Sequence, residues 1–225
     1  VWAIDHTKGP CPIDGGSRSV LALHDLASGC ELLARPVPDE RAETTAREIE
    51  PVFGASGPPL VLKEDNAFRA GPIADALEGW GVLPLVSPPR WPPYNGSREA
   101  KMRGLKRDAA WAALLSGRPD AWTRDDVERA RRVANDTLRP WGARGPTPAQ
   151  VWRGREPISE PERAAFRSRA AALEVEVRAA RGPDASDATV RREAIGRALV
   201  EHGILEVRRR LVRLPIRTIM RLWIT

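Results

Sequence analysis

The sequence predicts an α/β fold in which a mixed β-sheet is flanked by helices and followed by a helical, basic C-terminal extension. Over the first 95 residues, short apolar runs with strand character alternate with segments of helical periodicity. Layered α/β proteins are built from this alternation. From about residue 96 onwards, apolar residues recur mostly at helical spacing. At 225 residues, the chain can hold one large domain, or a core with an appendage.

Five short apolar runs are predicted to be the strands of the sheet. The second and third flank the turn-forming segment Ala27-Ser28-Gly29, and this arrangement predicts a β-hairpin. The first run ends in Asp5, and the fourth ends directly before Glu64 and Asp65. Acidic residues therefore stand at the ends of two predicted strands. The predicted strands are residues 1–5, 18–26, 31–37, 60–63 and 82–86.

Helices are predicted between and after these strands. Four prolines within residues 87–96 exclude regular structure there, because proline lacks a backbone N–H and breaks helices. Thr123-Arg124-Asp125-Asp126 and Ser159-Glu160-Pro161-Glu162 resemble capping boxes, which open helices. The predicted helices span residues 41–53, 71–80, about 95 or 97 to 115, about 124–138, 160–181 and about 187–202.

The breaks between these elements predict three parts of the chain. A core would occupy residues 1–155, a linker helix residues 156–183, and a basic region residues 184–225. The last part ends in residues 204–225, which hold six arginines and one acidic residue. This tail could be a DNA-binding extension, or an amphipathic segment that is solvated or packs on a partner subunit.

Charge is unevenly distributed along the chain. Residues 1–100 hold 9 basic and 14 acidic residues (net −5), whereas residues 101–225 hold 27 and 16 (net +11). Such asymmetry favours an anionic partner, most commonly nucleic acid, although a solvated basic face has the same composition. Two cysteines, Cys11 and Cys30, are too few for a disulfide framework or a four-cysteine zinc site.

The sequence shows no targeting or membrane signal. No run of 18 apolar residues predicts a membrane span, and no basic-then-apolar leader predicts secretion. We therefore expect a cytoplasmic protein. Because strand character begins at Val1, an upstream segment is expected to be missing from this sequence.

Three acidic residues are placed where they could form one site. Asp5 and Asp65 end predicted strands, and Glu99 lies in the first turns of the helix after the proline-rich loop. Carboxylates that converge in this way suit Mg²⁺, which prefers oxygen ligands and negative charge. Singly, each residue is more often a turn, cap or helix-dipole residue. The prediction therefore depends on their combination.

Three ordered segments carry a resemblance to a known family. VWAIDHT, LKEDNAF and PYNGSREAKMRGLK contain Asp5, Asp65 and Glu99, and they are similar to the signature segments of retroviral-type integrase and bacterial insertion-sequence transposase cores. That superfamily has an RNase H-like fold and a DDE carboxylate triad. Asp65 lies 60 positions after Asp5, and 33 residues separate Asp65 from Glu99, slightly fewer than is common in the family.

The resemblance extends over residues 1–155 and includes some departures. Asn135, Arg139-Pro140 and the segment 147–152 resemble the conserved tail of many bacterial cores. Asn66-Ala67 replaces the more usual Asn-Gly, and the residues around Glu99 lack the common Val-Glu-Arg pattern. These departures leave the three carboxylates in place.

The resemblance implies a function and a set of site residues. Asp5, Asp65 and Glu99 would be the catalytic residues and the ligands of two Mg²⁺ (or Mn²⁺) ions, with Asp5 shared between them. The reaction would be 3′-end nicking and strand transfer on duplex DNA, at transposon ends and target, by a homo-oligomer. The implied location is cytoplasmic, in a bacterium and at the nucleoid.

The implied DNA contacts are on the third helix and on the two loops that flank the site. Arg103 and Lys106 share a helix face with Glu99 and would bind phosphates, although a solvated face is the alternative. Lys101 points elsewhere and is expected to be surface. Asn66, Trp91 and Tyr94 would contact DNA, unless the two aromatic rings pack beneath their loop.

Two other functions are also compatible with the sequence. The chain could be an RNase H-like nuclease that hydrolyses DNA without joining it. It could also be an inactive, truncated transposase remnant that binds only DNA or a partner.

Overall fold

A five-stranded mixed sheet organises the N-terminal part of the protein. A computed structural model describes residues 1–64, 71–88 and 96–207. The strands are β1 (Trp2–Thr7), β2 (Ser19–Asp25), β3 (Glu31–Val37), β4 (Val61–Glu64) and β5 (Leu83–Val86). Their order across the sheet is β3-β2-β1-β4-β5. Strands β1, β2 and β3 pair antiparallel, whereas β4 is parallel to both β1 and β5.

The helices within the described ranges follow the predicted order, with one addition. The predicted β2–β3 hairpin and both predicted capping boxes are confirmed. A short helix that we did not predict, Pro148–Arg153, opens with a third capping box formed by Thr147 and Gln150. The helices are α1 (Ala42–Ser56), α2 (Pro72–Gly79), α3 (Gly96–Leu115), α4 (Arg124–Thr137), α5 (Pro148–Arg153), α6 (Glu160–Arg181) and α7 (Asp187–Glu201).

Side chains alternate between the two faces of β1, so the strand contributes to two different layers. Trp2 and Ile4 face α1 and α2, where they join a cluster that contains the fully buried Phe53. Ala3 and Asp5 therefore belong to the opposite face. There, Ala22, the register partner of Asp5, packs with residues of α3 and α4.

The amide of Asn135 fixes α4 to the edge strand β3. Its oxygen accepts from the backbone N–H of Glu31 (2.7 Å), and its nitrogen donates to the Glu31 carbonyl (2.9 Å). The pair satisfies backbone groups that would otherwise be buried without partners. This contact gives a structural role to one residue of the tail that carries the resemblance.

Helices α6 and α7 cover the remaining part of the sheet. Phe166, Leu173 and Val177 of α6 form one apolar cluster with Val61 of β4 and Leu85 of β5. At the sheet edge, the Arg192 Nε of α7 donates to the Val86 carbonyl over 3.1 Å. Segments after residue 155 therefore contribute to the packing of the sheet. The predicted domain boundary at that residue stays a prediction.

None of the helices in the described ranges combines the length and apolar character needed to cross a lipid bilayer.

Candidate active site

Asp5 lies near the centre of the sheet, on the strand that pairs with both β2 and β4. The parallel pairing of β1 with β4 matches Trp2 with Leu62 and Ala3 with Lys63. The Asp5 side chain is 26% exposed, so solvent ions can reach it. Its Oδ1 accepts a hydrogen bond of 2.8 Å from the backbone N–H of His6. The carboxylate is thus held by its own backbone on one side.

The end of β4 is anchored to the residue that follows β5. Glu64, the last residue of β4, is fully buried. Its carbonyl oxygen accepts from the backbone N–H of Ser87 (3.0 Å) and from the Ser87 hydroxyl (3.1 Å). Ser87 follows β5, so these bonds join the ends of two neighbouring strands. Asp65 itself, the residue after Glu64 in the sequence, lies outside the described residues.

Arg98 brings the start of α3 onto Asp5. Its Nη2 lies 3.1 Å from Asp5 Oδ2, and its Nη1 donates to the carbonyl oxygen of Ile4. The side chain is buried, with only 5% of the residue exposed. Our sequence interpretation missed this contact and noted Arg98 only within a departure from the family pattern. Spacing carried a signal, because Arg98, Met102, Leu105 and Ala109 form one helix face and the last three are buried.

Glu99 lies in the first turn of α3 and is exposed. Its neighbour Arg98 touches Asp5, so the structure brings the start of α3 to the β1 carboxylate. In residues 1–64, 71–88 and 96–207, no three His, Cys, Asp or Glu side chains group closely enough to hold a metal ion. As donors, the oxygens of Asp5 and Glu99 fit a hard divalent cation.

Arg103 and Lys106 are both exposed on α3. They follow Glu99 by four and seven positions, so the three side chains share one face of the helix. Neither cation forms an ion pair with a residue of the described ranges, and both are available to an anionic ligand. The other predicted DNA contacts, Asn66, Trp91 and Tyr94, lie outside the described residues.

A row of buried polar residues crosses the sheet beneath α3. Ala3 on β1 pairs with Lys63 of β4 and with His24 of β2, and His24 pairs in turn with Glu31 of β3. Lys63, His24 and Glu31 are all buried, with exposures of 8%, 3% and 2%. We refer to Lys63, His24 and Glu31 as the buried polar row. The prediction that Lys101 is a surface residue is wrong: the side chain is partly buried, and its Nζ donates to the Gly29 carbonyl over 2.5 Å.

Burial shifts the pKa values of His24 and Glu31 in opposite directions. Burial, with the positive charges of Lys101, Arg98 and Lys63, lowers the pKa of His24 to about 3. Burial also raises the pKa of Glu31 to about 7, although Lys101 and Arg131 oppose the change. Near neutral pH, the imidazole is therefore uncharged, and the carboxyl group is close to its midpoint.

Comparison with known proteins identifies similar solved structures. No protein-family model and no curated protein matches the chain. The catalytic core domain of BIV integrase is similar, with 22% identity and a TM-score of 0.53 over 67% of this chain and 91% of that chain. A simian T-cell lymphotropic virus intasome, solved with the PP2A regulatory subunit B56 gamma, contains another similar chain. There, the identity is 18% and the TM-score 0.58, over 71% of this chain and 56% of that chain.

At these identities, the similarity concerns the fold. The predicted α/β class is confirmed, with a five-stranded mixed sheet flanked by helices on both faces. The protein has the RNase H-like fold of an integrase catalytic core.

Proposed function

We propose that this chain is the catalytic core of a bacterial insertion-sequence transposase that cuts and joins DNA. The observation that carries the proposal is the meeting of Asp5 with the first turn of α3, in an integrase-core fold. Asp65 follows directly after β4, the strand paired with β1. Asp5, Asp65 and Glu99 are the proposed catalytic residues.

These three carboxylates would hold Mg²⁺ or Mn²⁺, and we propose two ions with Asp5 as the shared ligand. When bound, such ions supply an activated oxygen nucleophile and a Lewis acid for the leaving oxygen. The chain itself contributes the negative charge that attracts the cations. It also contributes β1 and the first turn of α3, which carry Asp5 and Glu99.

The proposed reaction has two phosphoryl-transfer steps. Hydrolysis of one phosphodiester at the transposon end frees a 3′-OH. That hydroxyl then attacks a target phosphodiester, forming one bond and breaking another, so the joining step needs no external energy source. Arg103 and Lys106, exposed beside Glu99, would bind DNA phosphates during both steps. Asn66, Trp91 and Tyr94 are further proposed DNA contacts, and a homo-oligomer would hold the two ends.

The test is a nicking and joining assay. The protein, together with any upstream coding sequence, is incubated with Mn²⁺ and with duplexes from the ends of its own element. We expect a nick at the 3′ end, followed by joining to a second duplex. Asp5→Asn, Asp65→Asn and Glu99→Gln should each lower both activities by at least a hundredfold, because each change removes a charged metal ligand. Glu50→Gln, an exposed glutamate of α1, is the matched control and should behave as wild type.

DNA binding provides the second readout of the same variants. Glu99→Gln should bind DNA at least as tightly as wild type, since it removes a charge that repels phosphate. Nicking without joining would instead identify a hydrolytic nuclease. Equal activity of wild type and all three carboxylate variants would contradict the proposed site.

A second function has one observation in its favour. The buried guanidinium of Arg98 already neutralises Asp5, as would be expected of a remnant that binds DNA without catalysis. Wild-type protein that binds DNA normally but neither nicks nor joins would support this second function.

A further inference from the structure

Both carboxylate oxygens of Asp5 already have a partner within the protein. Oδ1 accepts from the His6 backbone N–H over 2.8 Å, and Oδ2 lies 3.1 Å from Arg98 Nη2. The first donor is the next residue of the same strand and cannot leave without distorting β1. The second is the end of a long side chain from another element. Arg98 is therefore the partner that a competing cation could displace.

Two acceptors on β1 hold the Arg98 side chain in place. An arginine side chain does not deprotonate in proteins, so its burial demands a permanent acceptor or counter-ion. Here the side chain is only 6% exposed and has two acceptors on β1, the Ile4 carbonyl and the Asp5 carboxylate. The two-point contact orients the guanidinium toward Asp5 Oδ2.

We propose that Arg98 is a built-in counter-ion that competes with divalent metal for Asp5. This inference rests on the proposed function, because it concerns the same metal site. A cation bound to Asp5 Oδ2 would lie close to the positively charged guanidinium of Arg98, whose Nη2 is 3.1 Å from the same oxygen. Repulsion at such short range weakens binding by tenfold or more, even when solvent screens it. Metal binding is therefore strongest when the Arg98 side chain has moved away from Oδ2.

The test is a titration with Mn²⁺ alone, followed by calorimetry, without DNA. Arg98→Met removes the charge while keeping a long, flexible side chain, and it should bind Mn²⁺ at least tenfold more tightly than wild type. Arg98→Lys retains the charge and should stay within about threefold of wild type. Arg107→Met is the matched control, because it makes the same change of charge at an exposed position of the same helix. It should leave the affinity unchanged within about twofold.

A second measurement monitors the ion pair without metal. Thermal unfolding in EDTA is compared for wild type, Asp5→Asn, Arg98→Met and the double variant. If the two side chains stabilise each other, the double variant loses less stability than the sum of the single variants. Additive losses would overturn the ion pair as the basis of the inference. Should Arg98→Met fail to fold, Arg98→Gln removes the charge and can still donate to the Ile4 carbonyl.

The outcomes distinguish a failure of this inference from a failure of the proposed metal site. If wild type and Arg98→Met bind Mn²⁺ equally, the inference is wrong and the metal site stands. If neither protein binds Mn²⁺, the metal site is wrong, and the inference fails with it. Tighter binding by the neutral variants, with Arg98→Lys near wild type, would support both.

Discussion

At the scale of single residues, the least expected feature is the buried polar row beneath α3. His24 and Glu31 face each other in the register of β2 and β3, and both are almost fully buried. Desolvation favours the neutral form of each side chain. It therefore moves their pKa values in opposite directions, to about 3 for His24 and about 7 for Glu31. Each shift makes protein stability depend on pH.

Replacing Glu31 by glutamine should change that dependence in a defined pH window. The folded-state pKa of Glu31 is raised to about 7 from 4.5, so the unfolded chain loses this proton first. The wild-type free energy of unfolding should therefore decrease, relative to Glu31→Gln, as pH rises from 4.5 to 7. The difference should then level off at about 3 kcal/mol at most.

Urea unfolding at several pH values between 4 and 8 measures this difference. His24 contributes equally to both proteins and cancels from the comparison. Glu50→Gln, an exposed glutamate of α1, serves as the control and should parallel wild type. Parallel curves for wild type and Glu31→Gln would show that Glu31 ionises normally in the folded protein.

At the scale of elements, α3 presents two faces with different tasks. One face carries Met102 and Leu105 into the core and Arg98 onto β1. The other exposes Glu99, Arg103 and Lys106. Because the buried face fixes the rotation of the helix, the exposed cations lie at set positions beside the candidate site.

Replacing both Arg103 and Lys106 by alanine should weaken binding to duplex DNA. Each phosphate contact releases counterions from DNA, so the loss of two contacts should flatten the dependence of log K on log salt by roughly two units. Fluorescence anisotropy at several salt concentrations gives this slope. The double variant of Arg41 and Arg47 removes the same charge from exposed positions at the start of α1, on the other side of the sheet, and should keep most of the slope. Equal slopes for both double variants would exclude a specific α3 contact.

At the scale of the whole molecule, the packing of α6 and α7 on β4 and β5 links the chain after residue 155 to the sheet. Phe166 is fully buried in that cluster. The centroid of its ring lies 5.3 Å from the centroid of the His202 ring, in an edge-to-face arrangement. Apolar contacts of this kind couple segments that are far apart in sequence. We therefore expect the two parts to unfold together.

Phe166→Ala should lower the free energy of unfolding by about 3–5 kcal/mol, because it removes a large buried side chain and leaves a cavity. Hydrogen exchange followed by mass spectrometry should show reduced protection in β1 as well as in α6. Val175→Ala is the control on the same helix, where the side chain is 72% exposed. Its effect should stay within about 0.5 kcal/mol. If protection falls only after residue 155, the predicted core is an independent domain.

The sequence by itself predicted most of the elements and proposed the carboxylates of the candidate site. Alternating apolar runs predicted the strands. The N-cap residues Thr123 and Ser159 predicted where two helices begin. These signals are local, because strand alternation and capping depend on residues a few positions apart. The resemblance assigned Asp5 and Glu99 to one site, and the structure brings the start of α3 to Asp5.

Only the tertiary structure decided which residues surround that carboxylate. Arg98 meets Asp5 across 93 positions of sequence, and Lys101 meets the Gly29 carbonyl across 72. The buried polar row exists because strand pairing aligns Lys63, His24 and Glu31 across the sheet. From sequence alone, an arginine or lysine is predicted to lie on the surface, because burying its charge is costly. Whether a counter-charge offsets that cost depends on partners that only the folded chain brings within reach.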